Sequence, residues 1–182
     1  EKIEIFDFKK LSNVDSVIHL AAQASVHMSI SSFGTSSSSN ILGAIKVIDY
    51  CRLNEIPLVY ASSAAVYGNL ELGDDLNSEI DLLSPYASDK YVLEIYAKTA
   101  FKNYQLSSIG LRFFNVYGPR QDPANPYSGV ISIFIDRLLR SDKITINGGY
   151  QTRDFIYVKD VVEVIFNSVV LAKNSILCEQ IN

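Results

Sequence analysis

Tyr86 and Lys90 stand four residues apart in the stretch SPYASDKYVLEIYAK, Ser84 to Lys98. On a helix that spacing makes them neighbours on one face, while Tyr91 and Tyr96 point elsewhere. Ser84 and Pro85 are typical cap and first-turn residues, which places Tyr86 in the first turn. A tyrosine serving as a base near neutral pH needs its pKa of about 10 brought down by roughly 3, equivalent to about 4 kcal/mol. A lysine cation alongside and the positive potential of a helix N-terminus both favour the phenolate. The same pair also suits a solvated helix face, and spacing alone does not separate the two uses. Further upstream, YASSAAVYG (Tyr60 to Gly68) ends an apolar run with two serines, Ser62 and Ser63, which strand alternation points in opposite directions.

The elements that must position these residues alternate along the chain. SVIHLAA (Ser16 to Ala22), IPLVYASS (Ile56 to Ser63) and SSIGLRFFN (Ser107 to Asn115) are short apolar runs suited to buried strands. NILGAIKVIDYCRLNE (Asn40 to Glu55) and the stretch from Tyr86 onward have helical periodicity. Strands separated by helices of this length imply right-handed crossovers, hence an α/β fold with a doubly wound parallel sheet. Ligands of such sheets collect at the carboxyl ends of the strands, here residues 19–25, 61–68 and 113–120. Arg112, near the end of its strand, is expected to turn toward solvent or a ligand. Seven serines among Ser29 to Asn40 predict a weak helix or a mobile loop, because serine competes with helical hydrogen bonding. The rest reads as a long loop with three prolines (Val116 to Gly129), a helix over Val130 to Arg140, a strand at KITI (Lys143 to Ile146) and a helix from about Val158 to Ala172.

Composition narrows the function classes. The 182 residues are 48% apolar and 20% charged, enough for a well-buried core. A net charge of -4 without a basic block offers no footprint for nucleic acid or an anionic membrane, and points to a small-molecule partner. Two cysteines, Cys51 and Cys178, read as reduced thiols and so as a cytoplasmic location. The longest apolar run, VVEVIFNSVVLA, is interrupted by Glu163 and Asn167, and the N-terminus has no signal-peptide pattern, so a soluble protein is expected. No metal site is expected.

Taken together, VIHLAAQASV, YASSAAVYG, SPYASDK, LRFFNVYGPRQDP, PYSGVISIF and TRDFIYVKDV resemble, in order, the motifs of the extended short-chain dehydrogenase/reductase family. Within that family they are most similar to the nucleotide-sugar epimerases of the UDP-glucose 4-epimerase type. The resemblance implies a Rossmann-like sheet, NAD as cofactor, a UDP-sugar as substrate and a homodimer. It implies C4 epimerisation through a transient 4-keto sugar, with a hydride passed to NAD and returned to the other face.

The resemblance also carries roles onto residues. Tyr86 would be the base, Lys90 would bind the nicotinamide ribose and depress the tyrosine pKa, and Ser63 would hydrogen-bond O4. Ser62 is a neighbour that could instead be a buried hydroxyl bonded to backbone. Leu20, Ala21 and Ala22 would pass beneath the NAD pyrophosphate, and Asn40 would open the next helix near the nicotinamide, with helix capping as its other use. Glu4 and Ile5 would lie against adenine, with Asp7 as the alternative acidic residue. His19, inside an apolar strand, reads as a core histidine. Asn115 and Arg153 would hold the diphosphate, Arg153 as a buried cation whose other partners could be Asp154 or Asp160. Ser25, Ser128 and Val130 would line the sugar and uridine pockets.

Other reactions stay open. The 4,6-dehydratases of the family carry an Asp-Glu pair where this chain has Ala64 and Ala65, so elimination would lack its proton donor; uronic acid decarboxylation remains a further alternative. A non-catalytic dinucleotide sensor on the same fold would have little need for Ser63, Tyr86 and Lys90 together. Phe33 stands where the family usually has proline. The chain lacks the family's N-terminal glycine-rich βαβ unit and most of its C-terminal substrate-binding portion, so that by itself it is expected to be inactive. The division expected is 1–120, a partial NAD-binding Rossmann domain with the catalytic residues, and 121–182, a partial nucleotide-sugar-binding portion interleaved with the last Rossmann elements.

Overall fold

Three short apolar runs do become the centre of the structure. In the computed structural model, which describes residues 2–77, 79–125, 128–146 and 148–182 and leaves the side chain of Glu4 undescribed, they form β1 (Val17–His19), β2 (Leu58–Ser63) and β3 (Ser108–Phe113). All pair in parallel, and a fourth strand at the chain's end, Cys178–Ile181, completes the order β1-β2-β3-β6 once β4 and β5 are counted. Every residue of β2 is buried, as expected of a central strand covered on both faces.

The register sets up the site. Ser62 pairs with Arg112 and Ser63 with Phe113, so the last residues of β2 and β3 lie side by side. Tyr60 pairs with Gly110, and a Cβ on Gly110 would lie 2.5 Å from the Tyr60 ring, so glycine there makes room for the buried aromatic. Leu58 and Tyr60 face one core, and Val59, Ile109 and Leu111 face the other.

Helices α1 (Val26–Ser31), α2 (Phe33–Leu53) and α3 (Pro85–Tyr104) belong to this sheet. The serine-rich stretch is therefore helical, the first of the two expected alternatives, with a break at Ser32 between α1 and α2. Burial rescues it: Ser29 and Ser36 are buried, each with a specific hydrogen-bond partner, so tertiary packing outweighs weak local propensity. Helix α3 begins as its sequence signals, with Ser84 Oγ accepting from the Ala87 N–H at 3.1 Å and Pro85 in the first turn. Its C-cap, Gln105, has φ of 56°. The buried face of α3 changes character along its length, from Asp89, Lys90 and Glu94 to the apolar Leu93, Ala97 and Ala100.

The chain forms two compact units, one of Glu1–Phe113 with Ile165–Asn182 and one of Phe114–Val164. In the second unit β4 (Asn115–Tyr117) pairs in parallel with β5 (Phe155–Tyr157), and Tyr117 makes ring contacts with Phe155 and Tyr157. Helix α4 spans Val130–Leu139, and α5 (Val158–Asn174) runs from this unit into the first. KITI is not a strand: residues 143–146 join no sheet among the described residues.

Candidate active site

Helix α3 meets the end of β2 through a stripe of side chains spaced four apart, Tyr86, Lys90 and Glu94. They meet three successive residues of the strand. The Ser63 hydroxyl lies near enough to the Tyr86 phenol to act on its pKa, Lys90 Nζ donates to the Ala61 carbonyl at 2.7 Å, and Glu94 Oε1 accepts from Ser62 Oγ at 2.5 Å. The structure thus brings together Ser63, Tyr86 and Lys90 at the carboxyl end of the sheet. Ser63 Oγ also accepts from the Ala65 N–H at 3.1 Å, which orients the hydroxyl where the strand passes into a 3-10 turn over Ala64–Tyr67.

Electrostatics qualify the expected division of labour. Burial raises the Tyr86 phenol above its ordinary pKa, and the Ser63 hydrogen bond pulls it the other way. The Lys90 ammonium donates to the Ala61 carbonyl and sits 5.8 Å from the Tyr86 ring centroid, where a cation favours the phenolate. Burial lowers Lys90 to about 8, opposed by the neighbouring Asp89 carboxylate, so the side chain is mainly cationic at neutral pH. His19, at the end of β1, is lowered to about 4 by burial and then by the Lys90 charge, which makes it the neutral core histidine expected.

Asn40 lies well inside α2 and does not open the helix. Its Oδ1 accepts from the Gln23 N–H at 2.8 Å, and its Nδ2 donates to the Gln23 carbonyl at 3.2 Å and to Asp89 Oδ2 at 2.9 Å. Both amide N–H groups are committed to protein partners, so Asn40 acts on the segment after β1 through Gln23. That segment, Leu20, Ala21 and Ala22, is exposed, and its two alanines leave the backbone open to close approach. Ser25 caps α1, accepting from the Met28 N–H at 3.2 Å. Ile5 is 68% exposed in a 3-10 turn over Ile3–Ile5, and the side chain of Glu4 lies outside the described residues.

Two expectations about arginines reverse. Arg112 does not turn to solvent or ligand; it is buried, with Nε to Glu94 Oε1 at 2.9 Å, Nη2 to Glu94 Oε2 at 2.7 Å and Nη1 to the Tyr67 hydroxyl at 2.8 Å. The hydrogen bonds it donates to Glu94 raise its already high pKa further. Ser62 is buried as the alternative reading had it, yet its partner is this carboxylate and not backbone. Arg153 is exposed and not buried, and donates to the Thr152 carbonyl at 2.6 Å, because the turn before β5 carries it outward. Asn115 is also exposed, with Nδ2 donating to the Asp154 carbonyl at 2.9 Å. Ser128 donates to the Asp122 carbonyl, and Val130 starts α4 at 40% exposure; Pro126 and Tyr127 of the PYSGVISIF motif lie outside the described residues.

Sequence reasoning missed Glu94, Asp89 and Gln23. The signal for Glu94 was available, since it continues the four-residue spacing of Tyr86 and Lys90 by one more step. Nothing local announced Asp89 or Gln23.

The nicotinamide end of an NAD site fits these residues. Lys90 hydrogen-bonds only the Ala61 carbonyl among the described residues, which leaves two N–H donors at the sheet's ligand edge, beside the open backbone of residues 20–22. Among the described residues no group of His, Cys, Asp and Glu could hold a metal, and no helix is long and apolar enough to cross a membrane.

Residues 2–175 match the NAD dependent epimerase/dehydratase family. A Methanocaldococcus jannaschii protein, provisionally named as a UDP-glucose 4-epimerase, is 44% identical over 155 residues, 83% of this chain and 50% of that protein. A dTDP-D-glucose 4,6-dehydratase of Dictyostelium discoideum is 32% identical over 195 residues, covering 96% of this chain and 44% of its own length. Among solved structures, the UDP-N-acetylglucosamine 4-epimerase of Methanobrevibacter ruminantium in complex with UDP-N-acetylmuramic acid superimposes with a TM-score of 0.90 at 36% identity, over all of this chain and 58% of that one. The chain spans about half the length of these relatives.

Proposed function

Because the chain belongs to the NAD dependent epimerase/dehydratase family, we propose that its protein epimerises a UDP-sugar at C4 through a transient 4-keto sugar. The meeting of Ser63, Tyr86 and Lys90 at the carboxyl end of β2 carries this reading. NAD, when bound, supplies the hydride acceptor and the positive charge of its oxidised nicotinamide. Tyr86 takes the O4 proton. The Ser63 hydroxyl, oriented by the Ala65 N–H, bonds the same oxygen and stabilises the charge that develops there. Lys90 uses its remaining N–H groups to hold the nicotinamide ribose and stays cationic beside the tyrosine ring. Leu20, Ala21 and Ala22 lie under the pyrophosphate, held by Asn40 through Gln23.

Asn115 and Arg153 bind the nucleotide diphosphate, for which an exposed guanidinium with free N–H groups is a suitable bidentate partner, and Ser25, Ser128 and Val130 contact sugar and uridine. A UDP-sugar is favoured by the ligand of the Methanobrevibacter enzyme and the name of the Methanocaldococcus relative. Ala64 and Ala65 carry no proton for elimination, which favours epimerisation over dehydration despite the similarity to a dehydratase. A homodimer fits Leu42, Ile45, Ile95 and Tyr96, left exposed on the mutually packed α2 and α3, and a cytoplasmic location fits two free cysteines.

The test is turnover of UDP-glucose, UDP-N-acetylglucosamine and UDP-glucuronate by the full-length protein, followed by NMR of the sugar. The 4-epimer of one of them is expected. A 4-keto-6-deoxy product would assign a dehydratase, release of CO2 a decarboxylase, and NAD binding without turnover a sensor.

A further inference from the structure

Glu94 is fully buried, and every contact it makes ties helix α3 to the ends of β2 and β3. Its Oε1 accepts from Ser62 Oγ and from Arg112 Nε, and its Oε2 accepts from Arg112 Nη2. Ser62 and Arg112 are register partners on adjacent strands, so one carboxylate spans both. The chain of contacts continues outward: Arg112 donates to Tyr67, whose hydroxyl donates to Asn182 Oδ1 at 2.6 Å, and Asn182 in turn bonds Asp75 and Gly73 of the loop that separates Ser63 from Tyr86.

The geometry explains why such a centre is worth a buried charge. Tyr86 stands in the first turn of α3, where its N–H donates to Ser29 Oγ of α1 at 3.1 Å, and the turns beyond it set the register of the helix on β2. Lys90 holds one turn against Ala61, but its grip is a single bond to a carbonyl. Glu94 holds the next turn against Ser62, the residue adjacent to Ser63. A small slide of α3 along β2 would separate Tyr86 from Ser63, and displacements near an ångström are enough to cost large factors in rate.

We propose that Glu94, held by Arg112, is a positioning residue that acts through Ser62 to keep the Tyr86 phenol in register with the Ser63 hydroxyl. It touches neither sugar nor cofactor, and the proposal rests on the reading of Tyr86 and Ser63 as the reacting pair.

Ser62→Ala tests it with little risk to the fold, because Arg112 keeps both bonds to Glu94 and no charge is left unpaired. In the NAD-loaded full-length protein kcat is expected to fall roughly tenfold with KM unchanged. Ser62→Thr, which restores the hydroxyl, is expected to recover it. The second readout needs no turnover: titration of Tyr86 by NMR of 13Cζ-labelled tyrosine, its signal assigned with Tyr86→Phe. Ser63 is the group that lowers the phenol and Lys90 is the cation over its ring, with Asp89 on α3 and His19 on β1 acting on Lys90 in turn, all unaltered by the substitution. Loosening the register is therefore expected to move the Tyr86 titration to higher pH in Ser62→Ala and back in Ser62→Thr.

An unchanged kcat together with an unchanged titration would overturn the proposal, whatever the melting temperature does, since a purely structural role predicts that outcome. If the wild type turns over no UDP-sugar, the epimerase reading falls and the titration alone decides the positioning. Should Ser62→Ala not fold, Glu94→Asp draws the carboxylate back from Ser62 by one methylene while keeping a charge for Arg112, and the same two readouts apply.

Discussion

The candidate residues of the first unit and those of the second are held in opposite ways. In the first, Ser63, Lys90, Glu94 and Arg112 are buried, and each has a partner on a different element. In the second, Asn115 and Arg153 are exposed and bond only the nearby backbone of residues 152 and 154. Groups that must act on a reacting atom have their positions over-determined by the fold, whereas groups that would meet a diphosphate stay in water until it arrives. Substitution in the first unit should therefore register in chemistry or in stability, and in the second only in binding.

The largest effect expected is from Tyr86→Phe in the full-length protein. It removes only the ionisable hydroxyl, so kcat for C4 epimerisation should fall by roughly 10³-fold or more while thermal unfolding stays close to wild type. Residual activity above a few per cent would sink Tyr86 as the base and with it the contrast between the units.

Next comes Glu94→Leu, which leaves the Arg112 cation buried without its partner and should destabilise by about 3–5 kcal/mol in urea unfolding. Adding Arg112→Met should recover most of that loss, because the cost lies in the unpaired charge. Equal losses in the single and double variants would mean that the site depends on the network as a whole.

The buried histidine sharpens the comparison through pH. His19 titrates at about 4 when folded against 6.5 when unfolded, so between those values the unfolded chain takes up a proton that the folded chain refuses. Stability should fall as pH drops from 6.5 to about 4, by up to about 3 kcal/mol at about 1.4 kcal/mol per pH unit, and change no further below that on its account. The difference between wild type and His19→Gln, followed by denaturant titration across this range, isolates the effect.

The smallest effect is expected from Arg153→Ala. An exposed guanidinium that loses charge-assisted bonds to a diphosphate should weaken UDP-sugar binding by about 1–2 kcal/mol in calorimetry, with unfolding unchanged. A drop in stability instead would show that Arg153 belongs to the scaffold of its unit.

Much of this was legible in the sequence, for local reasons. Strand runs, the Ser84-Pro85 helix start and the four-residue spacing of Tyr86 and Lys90 depend on residues close in the chain, and the sequence by itself determined the α/β order, the parallel sheet and the place of Ser63 at its ligand edge. The motifs, read together, also determined the family. Tertiary structure decided what depends on distant partners. Ser29 and Ser36, of poor helix propensity, lie in α1 and α2 with buried hydrogen bonds, and KITI, with a strand's pattern, joins no sheet among the described residues. Arg112 and Arg153 exchange their expected environments because a guanidinium goes where a partner waits. For Arg112 that partner is Glu94, 18 residues away in sequence and on another element, a pairing that no local pattern encodes.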